Sequence, residues 1–391
     1  MDKAKLLEGV KKYTMIIALV LVTLFFTWKT GGKILFPQNV ANLIAQNAYV
    51  FVLATGMLLC ILTGGNIDLS IGSVVCFIGA VGATLMENKN MNMWAAIVCM
   101  LVLGVLIGAW QGFWIAFVRV PPFIVTLAGM LIFRGLSNVV LNGLTVSLTN
   151  DTFIKLFGGG ANCYIPDVFG GVNFNITCMI VGIVACIIFL FVQASGRISR
   201  MKKGYASEKF SSMLIKTIII CIVILALSYE LALYKGIPTA LVWVIIVIVI
   251  YGYITAKTTT GRYFYAVGGN EKATKLSGIN TDKVYFIAYT NMGLLAALAG
   301  MLTIARMTSA QPTYGQNYEM DAIGSCFIGG ASAYGGVGNV PGVIVGAVLM
   351  GVINLGMSIM GVDANYQKVV KGLVLLGAVI FDVVSKREKN K

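Results

Sequence analysis

The sequence predicts an all-α membrane protein, a single polytopic bundle of about twelve transmembrane helices over residues 1–391. Hydrophobic residues make up 58% of the chain and charged residues only 11%, whereas a soluble domain carries about 25% charged residues. The apolar residues form long continuous runs, and a helix needs about 20 of them to cross the hydrocarbon. The short alternating segments typical of a β-barrel are missing, so helices are the predicted spanning elements.

Polar segments separate these apolar runs and define the predicted spans. We place the spans at 13–28, 39–62, 69–86, 93–118, 123–141, 176–195, 213–234, 238–256, 284–305, 319–334, 341–360 and 366–384. Glycine-rich breaks follow the second and the tenth span, and their faint likeness is compatible with the internal repeats that transporters often contain.

Two of the predicted spans, 213–234 and 238–256, are rich in Ile and Val and nearly free of polar residues. A helix that is apolar all round suits a lipid environment, so we predict that both are peripheral and face lipid. On this prediction Val244, Ile246 and Val249 are accessible from the lipid phase.

The basic residues predict which connections face the cytoplasm. The net charge is +14, and most of the 29 Lys and Arg residues fall in 1–12, 196–212, 257–283 and 385–391. Basic residues are retained on the cytoplasmic side of membrane proteins, so these segments and both termini are predicted to be cytoplasmic. Binding to nucleic acid is the alternative explanation of the charge, and we disfavour it because the charge lies between apolar runs.

Several kinds of chemistry are excluded by what the sequence lacks. There is no histidine, which removes the usual zinc sites and Ser-His-Asp catalysis. No G-x-x-x-x-G-K-[ST] run is present, so the chain carries no Walker-type ATP site. The eight cysteines form no C-x-x-C pair, although a disulfide between Cys163 and Cys178, near an outer loop, stays open. We predict no catalytic, cofactor-binding or metal site.

Neutral polar side chains recur in the second predicted span. Asn39, Asn42 and Gln46 share one helix face, which either packs against neighbouring helices or lines a water-filled path. Other amides lie near mid-span elsewhere, and an amide both donates and accepts hydrogen bonds. The candidate path residues are Asn42, Gln46, Asn47, Gln111 and Asn354.

Two ionisable residues lie at membrane depth, where a charge is costly. Asp68 follows a pair of glycines that interrupts an apolar run, and it is placed to cap a helix restarting at Leu69. Arg134 lies well inside the span 123–141 and needs a partner, a water-filled cavity or a snorkelling conformation. Both are candidates for a gate or an ion pair, with capping and snorkelling as the alternatives.

The polar interval 257–283, between two long apolar blocks, is predicted to hold a short capped helix. Gly268 and Gly269 allow a sharp turn, because glycine reaches backbone angles that other residues avoid. Asn270 is a good helix N-cap, and Glu271 complements the helix dipole in the first turn.

This short helix is predicted to continue to Ser277. Ala273 and Leu276 share one face at i, i+3 spacing, and Gly278 is expected at positive φ as the C-cap. The helix is either an ordinary capped loop or an element that contacts a cytoplasmic partner.

Four runs of the sequence resemble the permease subunits of sugar-importing ABC transporters. They are LTGGNIDLSIGSVV (62–75), VPPFIVTLAGMLIFRGL (120–136), GRYFYAVGGNEKATKLSGI (261–279) and FIGGASAYGGVGNVPGVIVGAVLMGVI (327–353). The resemblance extends over roughly 13–384 and is to the branch that moves ribose, xylose, galactose and related monosaccharides, carbohydrate uptake transporter 2. The additional helix pair at about 196–256, beyond a family core of about ten spans, is similar to xylose-type and multiple-monosaccharide permeases.

The resemblance implies a multi-pass protein of the bacterial inner membrane with three kinds of protein partner. These are an ABC ATPase subunit, an extracytoplasmic sugar-binding protein and a second permease copy in a homodimer. The segment 257–283 resembles the loop that docks on the ATPase in this family. The candidate coupling residues are Gly268, Gly269, Asn270, Glu271, Ala273, Leu276, Ser277 and Gly278.

The predicted function is therefore ATP-driven import of a pentose or hexose such as xylose, galactose or arabinose, with ATP hydrolysed on the partner subunit. An ABC permease for nucleosides or an autoinducer shares much of the pattern. An ion-coupled secondary transporter is a second alternative, and it requires ionisable groups near the midplane, which are few here. A receptor or structural membrane protein is a third, disfavoured by the glycine-broken spans.

Overall fold

The computed structural model describes residues 3–158, 163–171, 173–204 and 210–389. Nearly all of the regular secondary structure in these residues is helical. The first helices are α1 (Lys3–Lys29), α2 (Pro37–Gln46), α3 (Ala48–Leu62), α4 (Ile71–Ala83), α5 (Met93–Ala116) and α6 (Pro122–Leu141). The middle of the chain forms α7 (Asp151–Phe157), α8 (Ile176–Lys202), α9 (Phe210–Ala232) and α10 (Thr239–Lys257). The last helices are α11 (Thr259–Gly269), α12 (Glu271–Leu276), α13 (Thr281–Met307), α14 (Tyr318–Ile328), α15 (Val340–Ile359) and α16 (Ala364–Lys389).

Short elements complete the described part of the chain. A 3₁₀ turn covers Lys33–Leu35, and one π-helical turn, Thr84–Asn88, continues α4. Two antiparallel two-residue strands, β1 (Val146–Ser147) and β2 (Ser309–Ala310), join distant loops.

The prediction of a polytopic helix bundle is confirmed. In the described part of the chain, 8 helices are long and apolar enough to cross a membrane, and 9 if the bent pair α2–α3 forms one span. That pair bends by 43° at Asn47, so the predicted span 39–62 is broken near its outer third. The total of about twelve spans stays a prediction, as does the location of the termini, whose outermost residues lie outside the described part.

The predicted span 319–334 is wrong in its second half. Helix α14 ends at Ile328, and Gly330 then adopts a φ of +83°, which turns the chain back. At about 1.5 Å per residue, 11 helical residues cover only about half of the hydrocarbon. The helix therefore reaches partway through a bilayer and continues as a turn.

Helix α13 is the centre of the bundle. It packs against α3, α4 and α5, and 78% of its most apolar stretch is buried inside the protein. Its contact with α5 is made through glycines: a Cβ on Gly293 would lie 2.7 Å from the backbone nitrogen of Gly108, and it would also meet the carbonyl oxygen of Gly104. The absence of side chains there lets the two backbones touch.

The helix packing supports the internal repeat. The helices α3 to α6 correspond in order to α13 to α16. Helix α13 packs on α4 and α5, and α3 packs in the same way on α14 and α15. Likewise α4 packs on α6, and α14 packs on α16. In this correspondence the break before α4 matches the loop between α13 and α14. The sequence analysis compared the break before α4 with the break after α14, and the helix packing does not support that pairing.

Helix α9 is peripheral in the described structure and α10 is only partly so, while the prediction that the pair faces lipid stays a prediction. Just 6% of the apolar stretch of α9 is buried, and Ile246 and Val249 on α10 are exposed. Val244 is only 2% exposed, so the prediction for that residue is wrong. One face of α10 packs on α2, α3 and α7, and uniform Ile/Val composition gave no sign of which face that is. The most peripheral helices are α8 and α9, which pack on each other.

We expect Gly293→Ala to destabilise the protein, because the new methyl group collides with the α5 backbone. Overpacking of this kind costs about 1–3 kcal/mol, which corresponds to a fall of roughly 2–10 °C in melting temperature. The measurement is thermal unfolding of the purified protein in detergent. Gly252→Ala on α10 is the matched control, since a Cβ there meets nothing within 4 Å. An equal melting temperature for both variants would contradict the close contact.

Candidate functional site

The predicted short helix in 257–283 is confirmed, but the residues before it form a further helix and not the predicted turn. Asn270 caps α12 by accepting a hydrogen bond from the Ala273 amide at 3.0 Å, and Gly278 has a φ of +83°. Gly268 and Gly269 do not form the predicted turn, since they are the last two residues of α11. The chain changes direction at Asn270, whose extended φ of −161° separates the two helices.

Helix α12 has one attached face and one free face. The hydroxyl of the buried Thr274 donates to the Ala266 carbonyl at 2.8 Å, which fixes α12 against α11. Ala273 and Leu276 point away from the protein, and Leu276 is 89% exposed. Ser277, just past the helix, donates to the Ala273 carbonyl at 2.9 Å. Ala273 and Leu276 therefore share an exposed face, as the sequence predicted, and the exposed Lys272 and Lys275 lie beside them.

Glu271 is bound within the protein itself. Arg119 donates to it at 2.7 Å, Tyr285 at 3.1 Å and Thr281 at 3.2 Å, and Arg119 also pairs with Asp282. Partial burial opposes the charged form of Glu271, but the hydrogen bonds from Arg119 and Tyr285 outweigh it and lower its pKa. The turn after α5 is thereby joined to the start of α12, a role for Arg119 that the sequence analysis missed.

Helix α11 lies directly on the two glycine-rich breaks. Gly268 has no room for a Cβ, because the Leu62 carbonyl and the Gly336 amide lie against it. The Gly336 amide donates to Leu62 O at 3.0 Å, and a Cβ on Gly65 would meet the backbone of Ala333. The segments 63–70 and 329–339 therefore touch each other through backbone atoms. Helix α11 touches Leu62 and Gly336 through the backbone of Gly268, and its Tyr265 hydroxyl donates to the Gly338 carbonyl at 2.9 Å.

Asp68 and Gln111 belong to one buried polar group. Asp68 accepts from the Ser70 amide at 2.8 Å and from the Ser70 hydroxyl at 2.6 Å, while Gln111 donates to that hydroxyl at 2.7 Å. Helix α4 starts at Ile71, so Asp68 closes the turn before the helix and does not cap a helix at Leu69. The expectation of a restarted helix holds, two residues later than predicted.

Arg134 binds backbone carbonyl groups. Its guanidinium donates to Pro312 O at 3.0 Å and to Tyr314 O at 2.6 Å, in the loop before α14. The arginine thus joins α6 to that loop, and it does not snorkel to the end of its helix.

Three of the candidate path residues meet in one polar cavity of about 200 Å³ at the bend between α2 and α3. They are Gln46, Asn47 and Asn354. Asn42 and Gln111 do not line it. The other polar residues of its lining are Tyr49, Thr303, Arg306, Tyr318, Ser358, Gln367 and Lys371.

Most of the groups that face this cavity are uncharged hydrogen-bonding groups. Asn354 donates to the Asn47 side-chain oxygen at 3.4 Å, whereas its own side-chain oxygen is buried with no partner in the described structure. Tyr49 and Tyr318 stack with ring centres 3.6 Å apart. Amides beside an aromatic face suit a ligand rich in hydroxyl groups.

A buried ion pair lies beside the cavity, which its lysine lines, and the sequence analysis missed it. Lys371 Nζ lies 2.9 Å from Asp321 Oδ1, and Tyr49 donates to Asp321 Oδ2 at 2.7 Å. Lys371 also donates to Oδ2 at 3.1 Å, so charge attraction rather than a directed hydrogen bond holds Oδ1. Asp321 is only 1% exposed, and an acid in an otherwise apolar span was the available signal.

The disulfide left open for Cys163 and Cys178 is not formed. Both are free thiols, and they donate to different carbonyls, Ile154 O at 3.3 Å and Ser228 O at 3.4 Å.

The chain belongs to the family described as "Branched-chain amino acid transport system / permease component", whose model matches residues 39–379. It is a permease subunit of an ABC transporter, embedded in the bacterial inner membrane by several spans, and not itself an enzyme. It is 37% identical to the xylose transport system permease protein XylH of Escherichia coli (strain K12), over 96% of this chain and 92% of that protein.

Further relatives extend the similarity. The XylH protein of Haemophilus influenzae is 36% identical over 96% of this chain and 97% of its own length. The ribose import permease protein RbsC of Escherichia coli (strain K12) is 34% identical over 88% of this chain and 85% of its own. No solved structure matches the chain. The resemblance to the permeases of sugar-importing ABC transporters is thus confirmed.

We expect Lys371→Met to destabilise the protein by about 3–5 kcal/mol, because it leaves the buried Asp321 carboxylate without its counter-charge. Adding Asp321→Asn to that variant removes the unpaired charge and recovers most of the loss. Thermal unfolding of the wild type, both single variants and the double variant in detergent measures the coupling between the two residues. Additive effects of the two substitutions would contradict the ion pair.

Proposed function

We propose that this chain is the permease subunit of an ATP-driven monosaccharide importer, with a pentose or hexose as the transported solute. The observation that carries the proposal is the polar cavity at the α2–α3 bend. Its volume of about 200 Å³ corresponds to about six or seven waters. Its amides and stacked tyrosines offer a sugar ring both hydrogen-bond partners and an aromatic face. The xylose and ribose permeases named above are the relatives that support this choice of solute.

Gln46, Asn47 and Asn354 are the proposed contacts of the solute within the path. Asn42 lies on the same helix as Gln46, and Gln111 belongs to the buried Asp68 group. Both are proposed to line the path outside the cavity. Asp68 and Arg134 are proposed to hold the chain beside the path, because Asp68 closes the turn before α4 and Arg134 binds the loop before α14.

The proposed transporter has both termini and the segment 257–283 in the cytoplasm, with about twelve spans. A separate ATPase binds the free face of α12, formed by Ala273 and Leu276. A second copy of the chain and an extracytoplasmic sugar-binding protein complete the assembly. Nucleotide binding to the ATPase then favours one facing state of the permease, through the contact of α11 with both breaks.

One observation favours the ion-coupled alternative, namely the buried Asp321–Lys371 pair beside the cavity. Ionisable groups at membrane depth are a mark of ion-coupled carriers. Uptake that continues after ATP depletion, with the ion gradient maintained, would support that alternative and contradict the ATP-driven importer.

We expect Gln46→Leu to weaken transport while leaving assembly intact. The substitution removes a neutral hydrogen bond to the solute, so the apparent affinity of uptake should fall roughly two- to tenfold. Uptake of labelled xylose and ribose by proteoliposomes holding the whole transporter measures the effect. Gln38→Leu makes the same chemical change on the same helix away from the cavity and serves as the control. Equal uptake by both variants would remove Gln46 from the path.

We expect Gly278→Val to uncouple the permease from its ATPase. A β-branched residue at a φ of +83° strains the C-cap by about 1–2 kcal/mol, whereas a Cβ there meets no neighbour within 4 Å. Co-purification of the ATPase and sugar-stimulated ATP turnover should therefore fall together. Gly278→Asn is the matched control, because Asn tolerates positive φ.

A second variant tests the same contact without straining the backbone. Leu276→Asp changes a side chain that is 89% exposed, so the membrane fold is untouched. We expect it to reduce ATPase binding as much as Gly278→Val does. Normal binding by Leu276→Asp would show that α12 is only a capped loop.

A further inference from the structure

The buried amide of Asn354 carries a hydrogen-bond acceptor that no described group of the protein uses. Asn354 is 7% exposed and lines the polar cavity at the α2–α3 bend. Its side-chain nitrogen donates to Asn47, whereas its side-chain oxygen, Oδ1, has no donor among the residues that the structure describes. A buried acceptor without a donor costs free energy, so it calls for a specific explanation.

The orientation of the neighbouring Asn47 amide is fixed by the backbone. Its side-chain nitrogen donates to the Leu43 carbonyl at 2.8 Å. A carbonyl oxygen only accepts, so a reversed Asn47 amide would set two acceptors against each other. The Asn47 side-chain oxygen therefore faces Asn354 and receives a hydrogen bond from it at 3.4 Å.

The same rule determines which group Asn354 presents on its other side. Its nitrogen faces the Asn47 oxygen, and turning the Asn354 amide over would bring two oxygens together. The nitrogen and the oxygen of an amide lie on opposite sides of its long axis. Asn354 is therefore held with an acceptor, and not a donor, on the side away from Asn47.

Close packing keeps Asn47 in this orientation. Helix α15 has no side chain at Gly351, where a Cβ would lie 3.2 Å from the Asn47 side-chain nitrogen. The Asn47 amide thus rests on α15 about one turn before Asn354, and Asn47 is only 1% exposed. The polarity of the Asn354 amide is therefore a property of the fold.

Neighbouring donors of the cavity have other acceptors. The Tyr49 hydroxyl donates to Asp321 at 2.7 Å, and the Lys371 ammonium group lies 2.9 Å from the same carboxylate. The Ser358 hydroxyl donates to the backbone carbonyl of Asn354 at 2.9 Å. A donor for Asn354 Oδ1 has to come from a molecule that enters the cavity.

We propose that Asn354 selects solutes by requiring a hydroxyl group that donates to its Oδ1. This inference rests on the proposed import of a monosaccharide, and it adds the polarity of one contact. A sugar hydroxyl both donates and accepts, so it satisfies Oδ1, whereas a fluorine in its place leaves two acceptors facing each other. Asn354 is then a specificity-determining residue, and Asn47 is the positioning residue that sets its polarity.

The test measures sugar binding to the purified full-length chain in detergent, without the ATPase or a binding protein, so that selection by other subunits does not enter. The first probes are xylose, ribose and galactose. The analogues in which fluorine replaces a single hydroxyl of the sugar that binds most tightly follow, and fluorine NMR line broadening and competition give their affinities. We expect the wild type to bind one of these analogues about tenfold more weakly than the sugar itself.

Two variants connect this discrimination to the amide pair. Asn354→Leu should weaken binding of the sugar and of the other analogues about tenfold but leave the rejected analogue unchanged, which a purely structural role would not do. In Asn47→Ala the Asn354 amide can turn over, so the rejected analogue should bind about as well as the sugar. Asn138→Leu makes the same chemical change as Asn354→Leu on an exposed face of α6 and should bind every probe as the wild type does.

The possible failures are distinguishable. Equal affinity of the wild type for the sugar and all its fluorinated analogues would overturn the requirement for a donor and leave the proposed monosaccharide import standing. Equal loss of every probe in Asn354→Leu would reduce Asn354 to a structural role. No binding of any sugar by the wild type would contradict the cavity as a sugar site, and with it the observation that carries the proposed function.

Discussion

The end of this permease that carries α11 and α12 depends on direct contact between three stretches of backbone. Gly268 of α11 lies against Leu62 and Gly336, and the two breaks are joined by the hydrogen bond from Gly336 N to Leu62 O. Side chains can change rotamer to absorb a small displacement, whereas backbone atoms in contact cannot. A shift of α11 is therefore passed to both breaks at once. Each break leads into a helix of the bundle, so one short segment can act on both halves of the repeat.

The parts of this arrangement that follow from local rules could be predicted from the sequence. The Asn270 cap, the helix after it and the positive φ of Gly278 depend only on neighbouring residues, and all three are present. The predicted turn at Gly268 and Gly269 was wrong because a glycine can be required for either of two reasons. It permits unusual backbone angles, and it also permits close approach, which requires knowledge of what lies opposite. Only the fold brings Leu62 and Gly336 to that position.

The polar cavity shows the same limit. The spacing of Asn42 and Gln46 identified the right helix, but the bend at Asn47 decides which amides meet and which do not. The pairing of Asp321 with Lys371, across 50 positions, has no local signature at all. Arg119 likewise finds Glu271 and Asp282 more than a hundred residues away. Residue type indicated the candidate residues, and only the tertiary contacts show which of them lie together.

The shortness of α14 has a consequence for how the protein enters the membrane. Its 11 residues begin with Glu319 and Asp321 in the first turn, so the segment has neither the length nor the composition of an independent membrane span. Among the described residues, the cation that pairs with Asp321 is Lys371 on the last helix, which the ribosome makes later. Integration of α14 is thus a property of the finished chain: the segment acquires a stable place in the bilayer when its neighbours on both sides have been synthesised.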